Sequence, residues 1–178
     1  MVQTANDNDR KIWANQIGQL IFSLNEIDWL LGCIRVDVFK HGRSKAWLGA
    51  TFSKRLELTA KLAGEARASP AMDELRRLIE RTLPLNDVRN HVAHGTLALI
   101  GASDDAPRGA SFEIVRFDKT VGELRAIGFS DQMEWTLAAI KLSHDFSRFV
   151  AMCSQSTQFI APYEPMVAGS KAPRARRR

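Results

Sequence analysis

Apolar residues recur along the first forty positions with the spacing of a helix. Trp13, Ile17, Leu20, Leu24, Ile27, Leu31, Ile34 and Val38 follow one another at intervals of 4, 3, 4, 3, 4, 3 and 4. That seam predicts one long helix over residues 9–40. Phe22, Trp29, Leu30, Val36 and Phe39 add apolar surface off the seam, so the helix has to bury more than one face, inside a bundle or against a partner chain. His41-Gly42-Arg43-Ser44 breaks the pattern. Residues 50–67 read as a second helix, with Phe52, Leu56, Leu58, Leu62 and Ala63 inward and Glu57–Lys61 as an i,i+4 pair. Ser69 is placed to cap a third helix, Pro70 to fill its first position, and Asp73 and Glu74 to face its positive end. Met72, Leu75, Leu78, Ile79 and Leu83 form its apolar face. Pro84 removes one hydrogen bond and crowds the preceding turn, at about 3 kcal/mol. The third helix therefore either stops near Thr82 and restarts at Pro84, or kinks there; both leave residues 85–94 helical, with Leu85, Val88 and Val92 inward. Gly95 is expected as a left-handed stop.

The helical period is lost over residues 96–129. Thr96-Leu97-Ala98-Leu99-Ile100 is a short apolar run, residues 101–109 are loop-like, residues 111–117 alternate imperfectly, and residues 124–129 suit a third strand. Ser130 is expected to cap a last long helix over residues 131–155, with Trp135, Ala138, Leu142, Phe146, Phe149 and Cys153 as its stripe. The fold class is mainly α: an antiparallel bundle of four to five helices with a small β-hairpin or three-stranded insertion before the last helix. Residues 1–9 are expected to fray, residues 10–160 to form a single helical domain with the β insertion at about 96–129, and residues 161–178, rich in Pro, Gly, Ala and Arg, to be a disordered basic tail.

The chain has 178 residues, enough for one domain with a real core. No unbroken apolar run approaches the roughly 18 residues of a bilayer span, and the polar start is no signal peptide, so no membrane partner is expected. Cys33 and Cys153 lie in apolar helical patterns and read as small buried residues of a reducing compartment, which points to a cytoplasmic protein. The net charge of +5 is unevenly placed: Lys171, Arg174, Arg176, Arg177 and Arg178 lie in the tail, and 25 basic residues less these 5 leave 20 against 20 acids. The body is thus formally neutral, and the tail is the candidate non-specific nucleic-acid-binding arm.

One stretch concentrates chemistry: Arg89-Asn90-His91-Val92-Ala93-His94-Gly95. At about 100° per residue, Asn90 and His94 share a helical face, whereas Arg89 and His94 stand about 140° apart. The Arg-x4-His spacing, with a polar residue after the Arg, resembles the signature of the HEPN superfamily, small all-helical domains that include metal-independent ribonucleases of toxin–antitoxin and defence systems. The resemblance implies Arg89, Asn90 and His94 as catalytic residues, with His91 as a further candidate. Histidine suits removal of a 2′-hydroxyl proton, arginine holds a phosphate with a planar fork, and Asn90 orients either. It also implies a homodimer whose two motifs line one cleft, RNA as substrate, products ending in 2′,3′-cyclic phosphate, and a nucleotidyltransferase-like antitoxin as the neutralising partner. No cofactor and no metal are expected: there is no Cys-x-x-Cys, no His-Glu-x-x-His and no phosphate-binding glycine loop, and Asp87 is the one acid within four residues of Arg89. His41 is expected on a surface loop, and His144 as a satisfied, partly buried side chain.

Two other functions fit the same helices. One is a non-enzymatic dimerisation or protein-interaction module built on the first helix; the other is a small-molecule-binding regulator with a pocket between helices. Neither gives Arg89, Asn90 and His94 a joint task. Arg89 and His94 pointing to different surfaces, with no shared cleft, would favour the interaction module.

Overall fold

The structure, a computed structural model, describes residues 7–42, 44–100, 111–118 and 123–155. It is a helical bundle with a three-stranded antiparallel sheet inserted before the last helix. In chain order the elements are α1 (Asp7–Cys33), a π-helical turn (Ile34–Val38), α2 (Lys45–Leu48), α3 (Phe52–Glu65), α4 (Pro70–His94), β1 (Thr96–Ile100), β2 (Ser111–Asp118), β3 (Glu123–Gly128) and α5 (Phe129–Gln155). The expected disorder of residues 161–178, and with it the basic tail, lies outside the described residues.

The α1 seam is the centre of the core. Leu20, Ile27, Leu31 and Ile34 are fully buried, joined by Trp13 and Leu24. Helix α1 begins at Asp7, inside the segment expected to fray. By length and composition, Arg10–Val38 is apolar enough to cross a membrane, although no unbroken apolar run is long enough. The helix does not stay regular to residue 40: Phe39 N–H donates to the Ile34 carbonyl at 3.1 Å, closing a π-turn with one extra residue. The inward position after Ile34 is therefore five residues on, not four. Phe39 is buried, and Val38, expected in the seam, is only partly so. Lys40 adopts φ 56°, and His41 N–H reaches the Arg35 carbonyl at 2.9 Å to end the element.

The α1–α5 pair runs in one direction: Trp13 packs edge-on to Phe129, Thr136 Oγ1 donates to the Gln16 carbonyl, and Ser143 donates to Glu26. Helices α3 and α4 run antiparallel, with Arg76 Nη2 on the Ala63 carbonyl at 2.7 Å and Asn86 Nδ2 on Ser53 Oγ at 2.7 Å. Ser69 caps α4 as expected, accepting from Met72 N–H at 3.3 Å, with Pro70 behind it. Pro84 neither stops α4 nor restarts it. Leu83 and Pro84 are exposed, so the carbonyl orphaned one turn back at Glu80 lies on the solvent-facing side of the helix.

Four local expectations change. Glu57 pairs with Lys54 at 2.7 Å, while Lys61 pairs with Glu65. Helix α2, capped by Ser44, fills residues to which the sequence pattern assigned no element. Helix α5 begins at Phe129, directly after β3, so Ser130 lies inside it rather than capping it. Gly95 is extended (φ −85°, ψ 168°), not left-handed. A glycine is needed there for space: a Cβ would collide with Ile114 Cγ2 and lie 3.0 Å from the His91 carbonyl oxygen. With no other residue between α4 and β1, the sheet is set tightly on the end of α4. Its register pairs Thr96 with Val115 and Glu113 with Gly128, and Ile114 and Ile127 bury their side chains toward the helices.

Candidate functional site

The last two turns of α4 carry Arg89, Asn90, His91 and His94 on a continuous helix, so their directions follow from its pitch. Taking Arg89 as zero, Asn90, His94 and His91 follow at about 100°, 140° and 200° round the axis. Val92, at about 300° and so opposite Asn90 and His94, is buried and anchors that orientation.

Arg89 turns toward α1 and α3. Its Nη2 donates to Asn25 Oδ1 at 3.2 Å, and its guanidinium lies 5.8 Å from the centre of the Phe52 ring. Among the described residues it forms no ion pair, so its charge is not compensated by a carboxylate. Arg89 and Asn90 line a cleft of about 460 Å³ together with Asp28, Thr51, Ser53, Arg55 and Asn86. Thr51 caps α3, accepting from Lys54 N–H at 3.3 Å. The positive end of α3 therefore opens on the same cleft. Arg55 is held differently. It donates to Asp28 at 2.5 Å and to the carbonyls of Trp47 and Leu48 at 3.2 and 3.1 Å. Both Arg55 and Arg35 lie over the buried Trp47 ring, 5.8 and 4.9 Å from its centre. This cluster fastens α2 to α1 and forms one wall of the cleft.

The two histidines do not join Arg89. His91 faces the sheet, its Nε2 lying 3.4 Å from the Ile114 carbonyl. His94 is exposed at the end of α4, beside Asn90 in the helical order, and is absent from the cleft lining. Within one chain, then, Arg89 and Asn90 share a cleft, and His94 stands on the neighbouring solvent face. Asn90 links the two sectors. Its carbonyl accepts from Arg116 Nη1 of β2 at 2.9 Å, which ties the sheet to the negative end of α4. Arg116 is paired in register with Arg125 of β3, a like-charge juxtaposition that a strand pair ordinarily avoids.

Sequence reasoning did not find Asn25, Arg55 or Arg116 as parts of this region. Asn25 and Arg116 meet α4 from 64 and 26 residues away. Nothing local marks Asn25. The one signal for Arg116 is its place two residues after Ile114 on an alternating strand.

A second concavity, of about 510 Å³, lies between α1 and α5, lined by Ala14, Gly18, Phe22, Glu26, Ile140 and His144 among others. Phe22 on its rim is 73% exposed, and Met133 and Leu137 are exposed on α5. His144, expected to be partly buried, is exposed. Its neighbour Asp145 takes the ion pairs, to Arg81 of α4 at 3.4 Å and to Arg148. Burial alone would raise the Asp145 carboxyl; the two arginines outweigh it and hold it below the ordinary carboxylate range. Cys33 and Cys153 are not joined in a disulfide, each is half-buried rather than fully so, and burial pushes the Cys153 thiol up. Among the described residues no group of three His, Cys, Asp or Glu side chains is arranged to hold a metal ion. Compared with known proteins, the chain matches no family model, no curated protein and no solved structure.

Proposed function

We propose that this chain is a HEPN-like RNA-binding protein that holds phosphate at Arg89 and cleaves RNA without divalent metal in a site completed by a second copy. The observation that carries the reading is the state of Arg89. It is a partly buried guanidinium in an open cleft, held by a neutral amide and a ring face, with no carboxylate paired to it among the described residues. Such a group keeps most of its five donors for an anion. The exposed His94 next to Asn90 supplies the acid–base group, and the 2′-hydroxyl is the nucleophile. Because one chain does not bring His94 into the Arg89 cleft, a homodimer has to juxtapose the two. The exposed Phe22, Met133 and Leu137 beside the α1–α5 groove offer the apolar surface for it. Toxin–antitoxin or defence context, and a nucleotidyltransferase-like partner, belong to the same proposal. So do the cytoplasmic location and the role of the 171–178 tail.

The test is purified protein with end-labelled single-stranded RNA in excess EDTA, with end-group analysis of the fragments. Wild type should give 2′,3′-cyclic phosphate ends and leave DNA intact. His94→Ala should lose about 10²- to 10⁴-fold. Arg89→Ala should lose comparably, and Arg89→Lys should rescue poorly because the fork is gone. Sedimentation should give twice 19.9 kDa. Cleavage that survives the His94 change, or stops with EDTA, sinks the assignment.

The separation of Arg89 from His94 favours a second reading, a non-enzymatic helical interaction module. RNA binding without cleavage by a sedimentation-verified dimer would select a binding module, and a dimer that neither binds nor cleaves RNA would select the interaction module.

A further inference from the structure

We infer that the Arg89 cleft continues into a platform for one unstacked base, with Trp29 as the stacking surface. The protein thereby selects single-stranded over duplex RNA. This rests on the reading of Arg89 as a phosphate holder and adds what lies beside the phosphate.

Trp29 is 62% exposed, whereas Trp13 and Trp47 are buried. It lines a recess of about 230 Å³ with Asn25, Gly32 and Leu48. That recess and the Arg89 cleft adjoin, sharing the Asp28–Arg55 ion pair as a wall. Asn25, Asp28, Trp29 and Gly32 stand at i, i+3, i+4 and i+7, one face of α1. Asn25 is the hinge between the two parts. Its Oδ1 accepts from Arg89, and Trp29 lies one helical turn further along, about 5–6 Å between Cβ atoms. The occupant is set by complementarity: a cation without a carboxylate partner at one end calls for an anion, and an exposed indole at the other for a flat apolar ring. A nucleotide of a single strand carries both. A base inside a duplex presents no free face, and stacking on aromatic side chains is the general means of holding unpaired strands.

The probe is a fluorescent single-stranded adenine oligonucleotide, 2′-O-methylated throughout so that no 2′-hydroxyl can attack, titrated with full-length protein in EDTA. The same sequence annealed to its complement is the second arm. Wild type should bind the single strand more tightly, with quenching of tryptophan emission. Trp29→Ala should weaken it about 5- to 150-fold, and Trp29→Phe should retain most of the affinity. Circular dichroism and sedimentation establish that both variants are folded and in the wild-type oligomeric state. If Trp29→Ala binds like wild type while Arg89→Ala does not, the platform is wrong and the phosphate holder stands. If neither change weakens binding, or wild type binds no strand, both fall. If Trp29→Ala weakens binding only by dissociating the dimer, Trp29 covers a second copy and the platform is overturned.

Discussion

Arg55 and Arg89 line the same cleft, yet they are held in opposite ways. Arg55 donates to a carboxylate and two backbone carbonyls and lies over an indole, so its donors are spent inside the fold. Arg89 holds one amide oxygen and a ring face. Both are positive and both are partly buried; composition and exposure do not separate them. What separates them is the count of acceptors already engaged. The first arginine positions a wall, and the second is left to meet whatever enters.

The contrast can be broken by exchanging the two effects. Arg55→Ala should destabilise the fold by about 2–4 kcal/mol, because it strands the largely buried Asp28 carboxylate. Arg89→Ala should cost less than about 1 kcal/mol, since its partner is an exposed neutral amide. Urea unfolding at neutral pH measures both. Equal losses would erase the distinction.

A second, smaller effect sharpens the picture on the sheet side of the motif. Gly95→Ala should cost about 1–3 kcal/mol, because the added methyl runs into Ile114 and the sheet has to lift from α4. The exchange of backbone amides in β2 should accelerate more than in α3. Uniform acceleration would mean that the sheet is not seated on α4 through this contact.

The smallest effect concerns Arg81, which, like Arg55, is spent on a carboxylate. Its partner Asp145 has a folded-state pKa below the ordinary value, so the pairing stabilises above the unfolded pKa of about 3.9 and is lost as pH falls through the folded one. Asp145→Asn should cost less than about 1 kcal/mol at pH 7, since both arginines are largely exposed, and the difference from wild type should close at lower pH. A gap that persists at pH 2 would assign the effect to packing.

The bundle was legible because burial imposes a period that survives in a single sequence. The α1 seam, the Ser69-Pro70 start of α4 and the inward stripe of α5 at Leu142, Phe146 and Phe149 all lie where period and capping chemistry place them. The expected insertion before the last helix is a three-stranded sheet. What the period hid was anything that changes it or crosses between elements. The π-turn moved burial from Val38 to Phe39, and Gly95 answers to the bulk of Ile114 rather than to a backbone sign. For the candidate site, the angular spread of Arg89 and His94 could be computed from the helix pitch alone. The partners that give Arg89 its environment, Asn25 and Phe52, belong to other helices and leave no trace near residue 89.

The π-turn also has a bearing on how the chain tolerates changes in length. One residue added to a regular helix rotates everything after it by about 100°. Here the surplus residue is confined to Ile34–Val38, and the left-handed Lys40 with the His41–Arg35 bond closes the turn. The chain then enters α2 with Trp47 delivered beneath Arg35 and Arg55. The segment acts as a slack loop in a fixed cable: a deletion at the exposed Val36 should convert it to plain α-helix while Ile34 and Phe39 return to a four-residue interval. Variation of one residue in this place is absorbed before it reaches the cleft, so the first helix and the walls of the site can change length independently.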